Sequence, residues 1–88
     1  MQIEPKEIIK AYIDRHEIPK TKFAENVGIS YQFLWLLLKG DRDIGADTAI
    51  AIERATGGEI KKEWLVFPEE YQKEIEEYLN KNLTGAAK

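Results

Sequence analysis

The chain has 88 residues, with 13 Lys+Arg against 16 Asp+Glu, one His and no Cys. That length makes one small domain whose modest core depends on every large apolar residue, and the lack of cysteine excludes a disulfide framework and a thiolate metal site. The net charge of −3 is uneven: residues 1–45 carry seven Lys/Arg and seven Asp/Glu, whereas residues 46–88 carry six and nine, so the acidic excess lies in the C-terminal half and no basic stripe announces a phosphate-binding face. The longest uninterrupted apolar run, Phe33 to Leu38, is far short of the roughly 20 residues that span a bilayer. Met1 to Lys10 contain no apolar run of signal-peptide type. A cytoplasmic location and no membrane partner are expected.

Ile3, Ile8, Ile9, Tyr12 and Ile13 recur at helical spacing, and Pro5 suits a first turn, where its missing N–H costs nothing. Helix 1 is expected over residues 5–16. Pro19 then marks a boundary before a second helix, Lys20 to Val27, with Phe23, Ala24 and Val27 facing inward. Lys20 and Lys22 occupy its first turn, where the helix dipole disfavours cations. They read as solvated surface lysines or as phosphate contacts.

Gly28 can adopt the left-handed conformation that ends a helix, and Ser30 can cap the next one. Helix 3 is expected from Tyr31 to Lys39, closed by Gly40. At 100° per residue, Leu34, Leu37 and Leu38 fall on one side. Gln32, Trp35, Leu36 and Lys39 fall on the other, with Tyr31 and Phe33 on the flanks. An outward face this apolar is unusual in solvent and marks a contact surface, unless other parts of the chain cover Phe33 and Trp35. Two helices joined by a short glycine-containing turn form a helix-turn-helix, whose second helix can enter a DNA groove.

Asp41-Arg42-Asp43 resembles the start of a calcium loop, but the further acidic ligands of that loop are missing. Arg42 reads instead as a loop cation for a backbone phosphate. Ala46 to Thr56 is expected as helix 4, buried through Ala49, Ile50, Ile52 and Ala55 and stopped by Gly57-Gly58. Residues 59–67 are expected to start as a short helix and end as a connector, with Ile60, Trp64 and Leu65 closing the core. High β-propensity also allows a short strand at 65–67. Pro68 to about Asn82 is expected as a last helix. Its stripe of Tyr71, Ile75, Tyr78, Leu79 and Leu83 either packs on its own domain or pairs with a second copy. Residues 84–88 are expected to be a flexible tail.

The fold class is therefore all-α: a compact bundle of about five helices containing a helix-turn-helix (residues 20–39) within a domain over 1–67, plus a C-terminal amphipathic helix over 68–83. Residues 18–67 resemble the Cro/repressor-type (XRE-like) helix-turn-helix regulators of phages and bacteria. The resemblance is carried by Phe23-Ala24, Val27-Gly28-Ile29-Ser30, Leu34, Leu37, Lys39-Gly40 and Asp41-Arg42. The stretch Ala49 to Ile60 with Trp64-Leu65 is similar to the Cro-like and antitoxin-like subset. The resemblance implies a repressor-type regulator of transcription that binds double-stranded operator DNA, usually as a homodimer. It implies base contacts from Tyr31, Gln32 and Leu36, a phosphate contact from Lys20, and positions near the backbone for Lys39 and Arg42.

The residues themselves add Trp35 to the base contacts, through a thymine methyl, and Lys22 to the phosphate contacts. Gln32 is the strongest base reader, because its amide can both donate and accept at adenine. A second reading makes the chain a protein-interaction module whose aromatic hot spot is Phe33, Trp35 and Leu36, with Tyr71, Ile75, Tyr78 and Leu79 as further candidate protein contacts. An enzyme is the weakest reading. His16 is the only histidine and Ser30 the only serine, and no nucleophile–base pair, metal set or cofactor site can be assembled from them.

Overall fold

A computed structural model shows an all-helical protein: α1 (Pro5–His16), α2 (Lys20–Val27), α3 (Tyr31–Lys39), α4 (Ala46–Ala55), α5 (Lys62–Val66) and α6 (Gln72–Ala87), with a 3-10 turn at Pro68–Glu70. It describes residues 2–81 with their side chains; Leu83 and the tail expected over 84–88 lie outside them. No strand occurs among the described residues, so the apolar stretch 65–67 ends α5 and enters the 3-10 turn instead.

Local chemistry sets the helix boundaries. At the start of α1, the backbone N–H of Glu4 donates to the Glu7 carboxylate at 3.2 Å. This satisfies a donor that the helix itself cannot. The Ser30 hydroxyl caps α3 by accepting from the Phe33 N–H at 3.0 Å. Gly28 and Gly40 end α2 and α3 with φ of 91° and 87°, and in each case the next N–H turns back to the last turn: Ile29 to the Ala24 carbonyl and Asp41 to the Leu36 carbonyl, both at 3.0 Å. Glu17 closes α1 at φ 51° without the help of glycine.

Phe23, Ile8, Ile9, Leu34, Leu37, Ile52, Ile60 and Ile75 are the largest fully buried side chains. At about 1.5–3 kcal/mol each, they fix the angle at which α3 sits on its neighbours. α3 packs on both α1 and α2, α2 packs on α4, and α4 packs on α5. Tyr12 of α1 and Phe23 of α2 meet in a tilted pair, with ring centroids 5.8 Å apart and planes at 55°.

The last helix starts later than the sequence pattern suggests. Pro68-Glu69-Glu70 form the 3-10 turn, and α6 begins at Gln72. The Gln72 amide explains the shift: its nitrogen donates to the carbonyls of Pro68 (2.8 Å) and Ile3 (3.0 Å), and its oxygen accepts from the Ile3 N–H (2.7 Å). The connector is thereby held against the segment before α1, and α6 lies along α1. Ile75 (0% exposed) and Tyr78 (8% exposed) belong to the same buried cluster as Ile8 and Ile9. The stripe of α6 thus packs on its own chain, and Ile75 and Tyr78 are corrected from candidate protein contacts to core residues. Tyr71 and Leu79 are half-buried against that core.

Candidate nucleic-acid interface

The outward face of α3 is open. Tyr31 is 48% exposed and Trp35 47%, and Gln32 and Lys39 are exposed as well. The C-terminal segment, which packs on α1, leaves Trp35 uncovered. Phe33 and Leu36 are half-buried. The Arg42 guanidinium stands over the Phe33 ring, 5.9 Å from its centroid, so this ring is partly shielded by a cation from the loop after α3.

One turn apart on α3, Tyr31 and Trp35 form the aromatic wall of a shallow cleft whose other lining residues are Lys10 from α1, Lys20 from α2, and Leu38 and Lys39 from α3. Three helices each contribute a lysine, and among the described residues no carboxylate is part of the lining. Lys39 places its Nζ 4.5 Å from the Trp35 ring centroid and 3.2 Å from the Asp41 carboxylate, which fixes both the indole and the end of the helix. Lys22, also in the first turn of α2, pairs with Glu25 at 3.2 Å. Of the residues singled out in the sequence, the fold brings Tyr31, Trp35, Lys20 and Lys39 to one cleft. It holds Arg42 on the loop beside Phe33 and leaves Lys22 on the exposed side of α2. Lys10 reads in the sequence as ordinary solvated surface of α1, because an exposed lysine between Ile9 and Ala11 looks like any solvated position.

A second cluster lies around the turn after α4. The Glu59 carboxylate accepts from the Tyr78 hydroxyl at 2.7 Å, meets His16 Nε2 at 2.9 Å, and stands 3.7 Å from Arg15. Partial burial pushes the Glu59 carboxyl up, but the hydrogen bonds with Tyr78 and His16 and the positive charge beside it outweigh that, and it sits below its ordinary value. Tyr78 is pushed well above its ordinary value, first by burial and then by the Glu59 carboxylate; Tyr12 is raised by the same two causes. The cluster joins α1, the turn and α6, so its evident work is structural. Sequence reasoning placed His16 only at a helix end and missed Glu59, whose partners are 43 and 19 residues away. Among the described residues, no group of three or more His, Cys, Asp or Glu is placed to hold a metal ion, and no helix is long and apolar enough to cross a membrane.

No curated protein and no solved structure matches the chain. The family model described as bacterial toxin YdaS matches residues 19–75, a span that takes in the helix-turn-helix, α4, α5 and the start of α6 and covers well over half of the sequence. The chain, with its small all-helical bundle, belongs to the bacterial toxin YdaS family.

Proposed function

We propose that this protein is a DNA-binding regulator of Cro/repressor type, which presents α3 to the major groove of duplex DNA, acts as a homodimer in the cytoplasm, and carries out no catalysis. The observation that carries the reading is the cleft on α3: two exposed aromatics, Tyr31 and Trp35, among lysines from three helices, with no carboxylate in the lining among the described residues. In this reading Gln32, exposed on α3, pairs with adenine N6 and N7. Tyr31, Trp35 and Leu36 meet base edges or thymine methyls. Lys20, Lys22, Lys39 and Arg42 hold phosphates on either side. Among the described residues, no carboxylate of the acidic α6 is part of the cleft's lining.

Fluorescence anisotropy on the DNA upstream of the protein's own coding region tests this. The expected result is binding that weakens with salt, with a shallow slope because few cations are engaged. No salt-dependent binding at low ionic strength overturns it.

The half-exposed Trp35 also supports a second reading, in which a partner protein covers the aromatic face, as suits a toxin–antitoxin type of module. An exposed tryptophan framed by a cation is a common centre of protein interfaces. This reading expects Trp35→Ala to abolish capture of the product of a neighbouring gene while duplex binding stays absent in both proteins.

A further inference from the structure

We propose that Lys10 on α1 and Lys20 on α2 form a paired phosphate clamp at the edge of α3, so that the DNA-contacting surface extends onto α1. The inference rests on the reading of α3 as the groove-facing helix, and it adds a contact that the helix-turn-helix frame does not supply.

The two lysines reach one cleft from different helices, and Tyr31 and Trp35 of α3 line the same cleft. Their charges are uncommitted. Among the described residues, neither Lys10 nor Lys20 has an ion-pair, hydrogen-bond or ring partner, whereas Lys22 is engaged by Glu25 and Lys39 by Asp41 and Trp35. An anion entering the cleft therefore meets two ammonium groups that lose no existing partner. Lys6, one turn before Lys10 on α1, is differently placed. Its Nζ lies 3.1 Å from where a Cβ on Gly40 would stand, at the C-terminal end of α3, where the helix dipole favours a cation. The two α1 lysines thus divide: Lys6 serves the end of α3, and Lys10 faces the cleft.

A duplex phosphate is the fitting ligand. The cleft is shallow and open, its cations stand beside the aromatic face proposed to meet base edges, and a protein reading a groove must hold the strand that borders it. Lys20 lies inside residues 19–75, the span matched by the family model, and Lys10 outside it, so the clamp joins a residue of the matched span to one of the helix that precedes it.

The test measures duplex affinity against salt for Lys10→Gln, Lys20→Gln, Lys10→Arg and a control, Lys73→Gln, which removes the same charge from an exposed position on α6. Each lost phosphate contact lowers the slope of log K against log salt by about one. The expected result is that Lys10→Gln and Lys20→Gln each lower it by about one and weaken binding several-fold, that Lys10→Arg retains it, and that Lys73→Gln matches the wild type. Equal behaviour of Lys10→Gln and Lys73→Gln, in a protein that binds duplex, overturns the clamp and leaves the groove-reading helix standing. Absence of any duplex binding by the wild type overturns both. Lys10 is exposed, so an unchanged urea midpoint separates lost binding from lost folding.

Discussion

Tyr78 donates its hydroxyl to the Glu59 carboxylate across 2.7 Å, and this single contact ties α6 to the turn between α4 and α5. The phenol is buried among core side chains, with the Trp64 ring 5.5 Å away. A hydrogen bond to a charged acceptor contributes more than a neutral one, about 1.5–3 kcal/mol. Tyr78→Phe keeps the ring and removes only the donor, and Glu59 keeps His16 and Arg15. The expected loss is therefore at the lower end, about 1–2 kcal/mol, read from the urea midpoint. A double-mutant cycle with Glu59→Ala, which removes the acceptor, isolates the pair: if Tyr78→Phe costs as much in the Glu59→Ala background as in the wild type, the contact carries no energy.

The same cluster makes a pH-dependent contribution to stability. Glu59 is held below its ordinary value of 4.5, so the folded state favours its ionised form. Its contribution is complete above that value and is lost as pH falls through the lower, folded value. Tyr78 and Tyr12 are raised above 10.0, so the folded state favours their protonated forms. Their contribution is complete below pH 10.0 and is lost as pH rises beyond it. Thermal melts across pH are expected to show Glu59→Gln flattening the acid limb and Tyr78→Phe flattening the alkaline limb. Unchanged limbs in both variants exclude the cluster as their cause.

Most of this fold was legible because its signals are local. The helix boundaries of α1, α2 and α3 follow from Pro5, the Gly28–Ser30 turn and Gly40, whose effects act within one turn of the chain. The 3.6-residue period of Leu34, Leu37 and Leu38 placed the core side of α3. What the sequence hid is held together by distant contacts. Gln72 draws the connector onto Ile3, which delays α6. Glu59 gathers partners from α1 and α6. The candidate site divides in the same way: Tyr31, Gln32 and Trp35 were visible from the wheel of one helix, but Lys10 joins them only because α1 packs on α3.

The two glycines that frame α3 are expected to be costly to replace, for one reason with two settings. Gly28 and Gly40 hold φ of 91° and 87°, a region in which a Cβ costs about 1–2 kcal/mol. A Cβ at Gly28 meets nothing within 4 Å, so Gly28→Ala carries that conformational cost alone. A Cβ at Gly40 meets the Lys6 ammonium at 3.1 Å, the tip of a flexible side chain that can move away. Both alanine variants are expected to lose about 1–2 kcal/mol in urea unfolding, and Gly28→Asn to lose less, since asparagine tolerates this conformation. A larger loss at Gly40 that Lys6→Ala relieves points to an immobile Lys6 instead.

The two tryptophans are expected to separate binding from folding. Trp64 is 6% exposed and its indole N–H donates to Glu74 at 3.2 Å, so Trp64→Ala removes a large core side chain and leaves that carboxylate without its donor. Such truncations cost about 3–5 kcal/mol, a large part of the roughly 5–15 kcal/mol that holds a domain together. Trp35 is half-exposed and outside the core, in contact with the Lys39 ammonium. Trp35→Ala is expected to shift the urea midpoint little while weakening duplex affinity at least tenfold, because it removes the aromatic wall of the cleft. In the wild type, acrylamide is expected to quench Trp35 and spare Trp64, and bound duplex to protect Trp35 from it. Quenching that DNA leaves unchanged, in a complex that forms, would place the contact surface away from α3.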